Sequence, residues 1–581
     1  MNIFSFFTLF GGLAFFLYGM NVMSGGLEKV AGGKLESTLK KMTSNPYKSL
    51  LLGAAITVAI QSSSAMTVML VGLVNSGIMT LGQTIGVIMG SNIGTTLTAW
   101  ILSLTGIQSD NIFVNLLKPE AFSPVVAFIG IVLIMLSGTS KKKDIGKIMI
   151  GFSVLMYGMQ LMSDAVSPLA DSPAFAGLLT AFTNPVLGVA VGAVFTGIIQ
   201  SSAASVGILQ ALSLTGSISY AMAIPIIMGQ NIGTCVTALI SSIGVNKNAK
   251  RVSVVHISFN LIGTIVLLVI FYTANAFLDF SFTNDSINPV GIAFVHSVFN
   301  IVTTALLLPF TKRLEKIAKF VIKDSETAEK TELVDERLLS TPSIAIARCK
   351  DLTVEMAQTA QKSVLQSINL LSKFDEKVCA DIREHEELID NYEDKLGSYL
   401  VKLSRKSLTL EDSHSTSNLL HSIGDFERIG DHACNILNVA REINEKNITF
   451  SLQAQEEIKV ITSAITEILD LTVCAFKDNN LELAKKVEPL EQVVDKLQTK
   501  LKNTHVLRLQ KGECTIETGF VFNDLLNNYE RIADHCSNIA VCLIQIADDS
   551  FDTHEYLSNV KSHGDDEFDS MYKEYKQKYA I

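Results

Sequence analysis

Two short polar blocks interrupt otherwise apolar text, Gln61-Ser62-Ser63-Ser64 and Gln200-Ser201-Ser202. Hydroxyl and amide groups can bind an oxyanion without carrying charge. They do so best at the start of a helix, where free backbone N–H groups join them. Asn92, Thr95 and Thr96 extend the first block, and Asn231 and Thr234 the second. Interrupted helices also expose carbonyls, which with Ser and Thr oxygens suit a small hard cation such as sodium. Neither block has a Lys or Arg beside it. A bare anion in such a site would be costly, so a co-bound cation is the natural countercharge and coupling becomes obligatory. A second constellation is acidic. Asp390/Asp394, Glu427/Asp431, Glu491/Asp495 and Glu530/Asp534 are acid-x-x-x-acid pairs. That spacing puts two like charges on one helix face, which is unfavourable without a counterion. A metal bridging carboxylates of neighbouring helices would relieve it, and magnesium, manganese, iron or zinc would serve. Ion pairs with Arg428 and Arg531 are the competing explanation.

The elements that must position these groups are duplicated. Gln-Ser-Ser recurs 139 residues on, and so do Gly90-Ser91-Asn92-Ile93-Gly94-Thr95 as Gly229-Gln230-Asn231-Ile232-Gly233-Thr234, Tyr18-Gly19-Met20 as Tyr157-Gly158-Met159, and Asn45-Pro46 as Asn184-Pro185. Residues 12–104 and 151–243 are therefore two copies of one unit. Mean hydropathy is +0.34 and 18% of residues are charged. No Asp, Glu, Lys, Arg or His occurs from Ser49 to Ser109 or from Ser172 to Asn246. Stretches that long without charge belong in lipid. Met1 to Met20 lacks a basic leader and an A-x-A site, and reads as a first membrane helix rather than a cleaved signal.

Matching loops carry opposite charge. Loop 24–48 holds Lys29, Lys34, Lys40, Lys41 and Lys48, whereas 163–185 has no base and contains Asp164 and Asp171. Loop 243–251 holds Lys247, Lys250 and Arg251, against one base, Lys118, with Asp110 and Glu120 in 104–122. Positive charge marks the cytoplasmic side, so the copies have inverted topology. Lys141, Lys142, Lys143 and Lys147 read as inside, Asp279 and Asp285 as outside, and Lys312, Arg313, Lys316 and Lys319 put the remainder of the chain inside. Each copy must cross an odd number of times, and its 49–103 or 187–242 segment is too long for one crossing. A re-entrant hairpin with the polar block at its tip, followed by a full helix, fits. Non-helical backbone at that depth is tolerated where it lines a cavity. A smaller echo pairs His256 and Asn260 with His296 and Asn300, 40 residues apart. These residues either face the pathway or hydrogen-bond between helices.

Paired Gln-Ser-Ser blocks, each followed by Met-Gly-x-Asn-Ile-Gly-Thr (Met89 to Thr95, Met228 to Thr234), resemble the type II sodium/phosphate cotransporter family over residues 5–310. The resemblance implies phosphate binding around Gln61, Ser62, Ser63, Ser64, Gln200, Ser201, Ser202, Asn92 and Asn231. It implies sodium around Ser64, Thr95, Thr96, Thr234 and Gln83. The second copy departs from the pattern, with Ala203 where the first has Ser64. Arsenate or another tetrahedral oxyanion is the alternative substrate, and a proton the alternative coupling ion.

Charge becomes dense after Lys312. Residues 312–344 read as a linker, 1–311 as the membrane domain, 345–550 as a helical bundle, and 551–581 as a loosely ordered acidic tail. The bundle also repeats: Phe426-Glu427-Arg428-Ile429-Gly430-Asp431-His432 matches Tyr529-Glu530-Arg531-Ile532-Ala533-Asp534-His535. The pattern resembles PhoU, a regulator of phosphate uptake built from two three-helix repeats with metal-binding acid-x-x-x-acid motifs. The eight acids above are then its metal ligands. Seven of the eight cysteines lie in this part, and none forms a CxxC pair, so they read as reduced thiols. The net charge of −10 argues against a nucleic-acid partner.

The expected protein is all-α. It is a polytopic membrane protein with two inverted-topology repeats containing re-entrant hairpins, plus a cytoplasmic PhoU-like bundle of two three-helix repeats. It would carry phosphate with sodium across a bacterial inner membrane by alternating access. Its partners would be lipid, a second copy of the chain or phosphate-signalling proteins. No nucleophile–base set, P-loop or nucleotide fingerprint marks an enzyme. The rival reading is a membrane-anchored phosphate sensor without net transport.

Overall fold

The computed structural model describes residues 3–31, 45–106, 119–169, 184–323, 333–406, 408–547 and 566–581. Lys34, Lys40, Lys41, Asp110, Lys118 and Asp171, on which part of the loop-charge reading rests, lie outside them. The described residues are helical, with one isolated bridge between Ser219 and Ser286 and no strand. They form two compact units, 1–344 and 345–581.

The first unit begins with α1 (Ile3–Ala31), α2 (Pro46–Ile60), α3 (Ser63–Asn75) and α4 (Leu81–Ser103). After α5 (Pro119–Leu136), the second copy repeats the series as α6 (Ser140–Val166), α7 (Pro185–Ile199), α8 (Ser202–Ser213), α9 (Tyr220–Gly233) and its continuation α10 (Cys235–Ser241). Then come α11 (Lys247–Leu278), α12 (Pro289–Leu307) and α13 (Thr311–Val321). Among the described residues six helical stretches are long and apolar enough to cross a membrane, while α2, α3, α7 and α8 are apolar but too short.

Equivalent residues make equivalent contacts. A Cβ on Gly53 would lie 2.2 Å from the Val87 carbonyl oxygen, and one on Gly192 2.2 Å from that of Ile226, exactly one repeat further on. Glycine is what lets α2 lie on α4, and α7 on α9, backbone to backbone. The copies also meet each other. Gly12 packs on Gly158, and Gly19 on Gly151. As one number rises the other falls, so α1 and α6 run antiparallel. Because 12 and 151, and 19 and 158, are repeat partners, the pair is self-complementary about a two-fold axis.

Hydrogen bonds tie the loops at each end of the unit. At one end Ser286 Oγ donates to the Gly216 carbonyl (2.6 Å) and Ile287 N to Ile218 O (2.8 Å). At the other, residues expected to be linker fold onto the unit instead. Asp335, fully buried, accepts from Asn75 Nδ2 (2.6 Å) and pairs with Arg337 (3.2 Å). Arg337 donates to the carbonyls of Ser241 (2.7 Å) and Ile243 (2.6 Å), capping the end of α10. α13 also packs on α11 and α4. Dense charge reads as solvated chain, whereas among the described residues Asp335 pairs with Arg337 and the charges of α13 lie along one face.

The second unit contains α14 (Pro342–Leu370), α15 (Glu376–Ser404), α16 (Leu410–Glu445), α17 (Leu452–Asp478), α18 (Val487–Gln510) and α19 (Ile516–Ala547). α16 and α19 pack antiparallel. His432 Nδ1 lies 2.8 Å from Asn528 Oδ1, and the equivalent His535 Nδ1 lies 2.9 Å from Asp425 Oδ1. The tail is not wholly loose. Its residues form α20 (Asp566–Lys578), held by Lys578 on Glu467 (2.7 Å), Lys496 on the Tyr572 hydroxyl (2.7 Å) and a buried Tyr579. An aromatic every few residues gives this acidic segment something to bury.

Candidate functional site

Each Gln-Ser-Ser block is the joint between two short helices. Gln61 ends α2 with φ 57° and Gln200 ends α7 with φ 58°, both in the left-handed region. Ser62 and Ser201 then cap the helices that follow, accepting from the N–H of Ala65 (3.1 Å) and Ala204 (3.2 Å). A non-glycine residue held in the left-handed region costs about 1–2 kcal/mol, and such strain, kept twice, clusters at functional sites. The turn ends one helix and starts the next, and it leaves the first N–H groups of α3 and α8 without helical partners.

Both joints line one cavity of about 200 Å³, together with Ser63, Ser64, Ser202, Ala203 and Thr95. At about 30 Å³ per water this is room for a handful of waters, or for one small oxyanion with company. Two helix N-termini therefore face the same space, and their partial positive charges favour an anion. Among the described residues no Asp, Glu, Lys, Arg or His lines it. Gln61 is held in place: its Nε2 donates to Val58 O (2.7 Å) and its Oε1 accepts from Thr98 (2.8 Å). Gln200 is exposed at the cavity.

The walls are not symmetric. Met20, Asn21 and Ser24 of α1 contribute, whereas their repeat partners Met159, Gln160 and Ser163 do not. Ser24 also donates to the Ile60 carbonyl at the end of α2 (2.5 Å). Sequence reasoning missed these three, and Thr98, because none belongs to a duplicated polar block. Other expected ligands stand elsewhere. Thr96 and Thr234 turn their hydroxyls to their own helices (2.7 Å to Ile93 O, 2.6 Å to Asn231 O), and neither lines the cavity. Asn231 donates to Ile227 O (2.8 Å), and Asn92 is buried with Nδ2 unpartnered; neither lines the cavity. Gln83 is a helix cap: its Oε1 accepts from the N–H (2.8 Å) and hydroxyl (2.9 Å) of Thr80. The Thr-x-x-Gln spacing is the capping-box signature and could have identified it.

In the second unit, ligand oxygens of Glu386, Asp390 and Asp431 lie within 4.8 Å of one another. Burial first, and then their mutual repulsion, push the carboxyls of Glu386, Asp390 and Glu427 above the usual range. Glu386 was missed although it stands one helical turn before Asp390. Asp394 is not part of this group. The other repeat is different: Arg531 lies 3.7 Å from Glu530 and 3.5 Å from Asp534. Burial still raises Glu530 and Asp534, with Arg531 pulling both back. Glu491 and Asp495 join no three-ligand cluster among the described residues. An oxygen-only cluster of three acids fits a hard divalent cation.

An all-helical chain with several bilayer-length helices and a duplicated polar joint at an uncharged internal cavity is built like a membrane transporter. The chain belongs to the Na+/Pi-cotransporter family, whose model it matches over residues 15–164 and 154–295, and it carries a PhoU domain, matched over 353–440 and 458–543. It is 22% identical over 558 residues to "Putative inorganic phosphate export protein YjbB" of Escherichia coli (strain K12), covering 94% of this chain and 99% of that one. It is 30% identical over 312 residues to "Uncharacterized protein YqeW" of Bacillus subtilis (strain 168), covering 53% and 96%. "Sodium-dependent phosphate transport protein 2A" of Rattus norvegicus matches 99 residues at 38% identity, 16% of this chain and 15% of that one. Among solved structures, PhoU from Pseudomonas aeruginosa is 23% identical, with 35% of this chain and 97% of that one covered and a TM-score of 0.33.

Proposed function

We propose that this protein carries inorganic phosphate together with sodium across the bacterial cytoplasmic membrane. The observation that supports this most is the convergence of both Gln-Ser-Ser joints on one uncharged cavity. Phosphate would take the free N–H groups and hydroxyls at the starts of α3 and α8, with Gln61, Gln200 and Asn21 around it. Sodium would take the oxygens of Ser64 and Thr95 and the carbonyls at the ends of α2 and α7. It would supply the charge that the walls lack. The antiparallel, self-complementary packing of α1 on α6 supports inverted repeats. The two hairpins would then enter from opposite faces and expose the cavity alternately. The basic ends of α6, α11 and α13 support a cytoplasmic second unit. That unit would regulate transport, with a divalent cation or iron at Glu386, Asp390 and Asp431. The name of the Escherichia coli relative points to outward flux.

The test is labelled phosphate in proteoliposomes, followed as uptake and as efflux, with sodium gradients of either sign and choline as control. Sodium-dependent flux lost in Gln61→Ala with Gln200→Ala supports the reading. Flux equal in sodium and choline refutes sodium coupling. Phosphate binding with no flux, also after removal of the second unit, refutes transport and favours a sensor.

A further inference from the structure

The duplicated His256-Asn260 and His296-Asn300 lie outside the cavity wall. They stand on α11 and α12, which turn back on each other through residues 279–288. The offset of 40 extends further, since Gly263 and Thr264 correspond to Thr303 and Thr304. Positions i, i+4, i+7 and i+8 share a helix face, so each helix carries one polar stripe. The stripes meet where Gly263 faces Thr303: a Cβ there would lie 2.3 Å from Thr303 Cγ2. Because 263 and 303 are themselves equivalents, the crossing is the midpoint, and the two histidines fall at opposite ends.

These side chains are buried. His256 and His296 are 2% exposed, Asn260, Asn300 and Thr303 0%, and Thr304 3%. Yet Nδ1 of both imidazoles, Oδ1 of both asparagines and the hydroxyls of Thr303 and Thr304 have no hydrogen-bond partner. The amides are already oriented. Asn260 Nδ2 donates to His256 O (3.1 Å) and Cys235 Sγ (3.4 Å), and Asn300 Nδ2 to His296 O (2.9 Å). The expected hydrogen bond between helices is made by Asn260 alone, to Cys235 on α10, and the remaining atoms make none. Each orphaned group carries a desolvation penalty, and lipid offers no partner. The packed helices α3, α4 and α8 contain no Asp, Glu, Lys, Arg or His, α9 with α10 adds only Tyr220 and Cys235, and the charges on packed elements are those of α13, Lys312, Arg313, Glu315, Lys316 and Lys319. A cation would need oxygens converging on one point, whereas these atoms are strung along the helices. Water, which takes two to four partners and links into chains, is the ligand that fits.

We propose that bound water occupies the buried polar sites around His256 and Asn260 and around His296 and Asn300, on either side of the close contact between Gly263 and Thr303 and separate from the Gln-Ser-Ser cavity. It would give the membrane unit two imidazoles in contact with water, where no described residue of the cavity wall is titratable.

The test is hydroxyl-radical labelling, generated in place by X-ray radiolysis of the full chain in nanodiscs. His256, His296 and the adjoining Phe259 and Phe299 are expected to label at the pace of exposed Phe520. Phe476, equally buried but in a helical core, should stay unlabelled. Labelling of all four as slow as that of Phe476 overturns the proposal. In the double variant Asn300→Leu, Thr303→Val, labelling at His296 and Phe299 should be lost, and its full retention also overturns it. A misfolded variant would betray itself by labelling at Phe16, fully buried in the core of the first unit. Deuterium exchange at the imidazole C2 carbons of the unmodified chain then decides. Exchange at His256 and His296 at the pace of exposed His421 supports bound water at both sites, and silence refutes it.

Discussion

At the residue scale, Gln61 does two separable things. Its backbone turns the chain and its side chain faces the cavity. Glycine would relieve about 1 kcal/mol of left-handed strain and remove the amide. The hydrogen bond lost by buried Thr98 offsets that relief, so Gln61→Gly is expected to change the melting temperature in detergent little while abolishing sodium-driven phosphate flux. A variant that melts early and still transports would contradict the assignment. Thr98 tests the same amide from behind. It lies outside the cavity wall and donates to Gln61 Oε1 at 2.8 Å. Thr98→Val leaves that oxygen unpaired, at a cost of about 1–3 kcal/mol if it stays buried. The amide will swing instead, and the expected result is roughly a tenfold rise in KM for phosphate, about 1.4 kcal/mol, with kcat little changed. An unchanged KM would mean that Gln61 does not touch the substrate.

At the scale of elements, close packing of α2 on α4 and of α7 on α9 aims the two joints. A Cβ at Gly53 or Gly192 would collide with a carbonyl, whereas Gly11 has nothing within 4 Å. Gly53→Ala and Gly192→Ala should each cost about 1–3 kcal/mol or more, and Gly11→Ala should be neutral or slightly stabilising. Thermal unfolding of the three variants side by side checks this. The segment around Asp335 makes a second claim. Asp335→Ala removes a buried charge and strands Arg337 among carbonyls, so a loss of about 3–5 kcal/mol is expected. If Asp335→Ala melts like the parent, the segment is an ornament and not a strap. These elements were unequally legible in the sequence. The joints were plain, because Gln-Ser-Ser stands in charge-free text and is copied at a fixed offset. The wall from α1 was not, because Asn21 and Ser24 are ordinary polar residues until the fold turns them inward. The capping role of Gln83 was hidden for the opposite reason, since a polar side chain beside an apolar run suits a ligand and a cap equally well. Nor does composition reveal that a charged stretch such as 335–341 packs down, because pairing is a property of the partner.

At the scale of the whole molecule, two duplicated units stand in one chain, and in each the copies have diverged. Ala203 replaces Ser64 in the cavity, and Arg531 sits beside the acids of only one PhoU repeat. The second divergence fixes where a cation should act. Glu386, Asp390 and Glu427 carry raised pKa values because burial and one another disfavour their charges. The folded chain thus keeps protons that the unfolded chain has already released. By linkage, their contribution turns against folding as pH rises from the unfolded carboxylate range through the raised values. A divalent cation held by the ionised cluster reverses that, so its stabilising effect must grow with pH over the same window. With manganese at about 100 times its Kd, the gain of about 2.7 kcal/mol corresponds to roughly 5–10 °C. That shift should be present at neutral pH and nearly absent where the carboxyls are protonated. Asp390→Asn with Asp431→Asn should abolish it, and should by itself flatten the acid side of the stability curve. Asp534→Asn should leave it intact, because Arg531 already neutralises that repeat. Loss of the manganese shift in Asp534→Asn, with retention in the Asp390 and Asp431 variant, would move the cation to the other repeat.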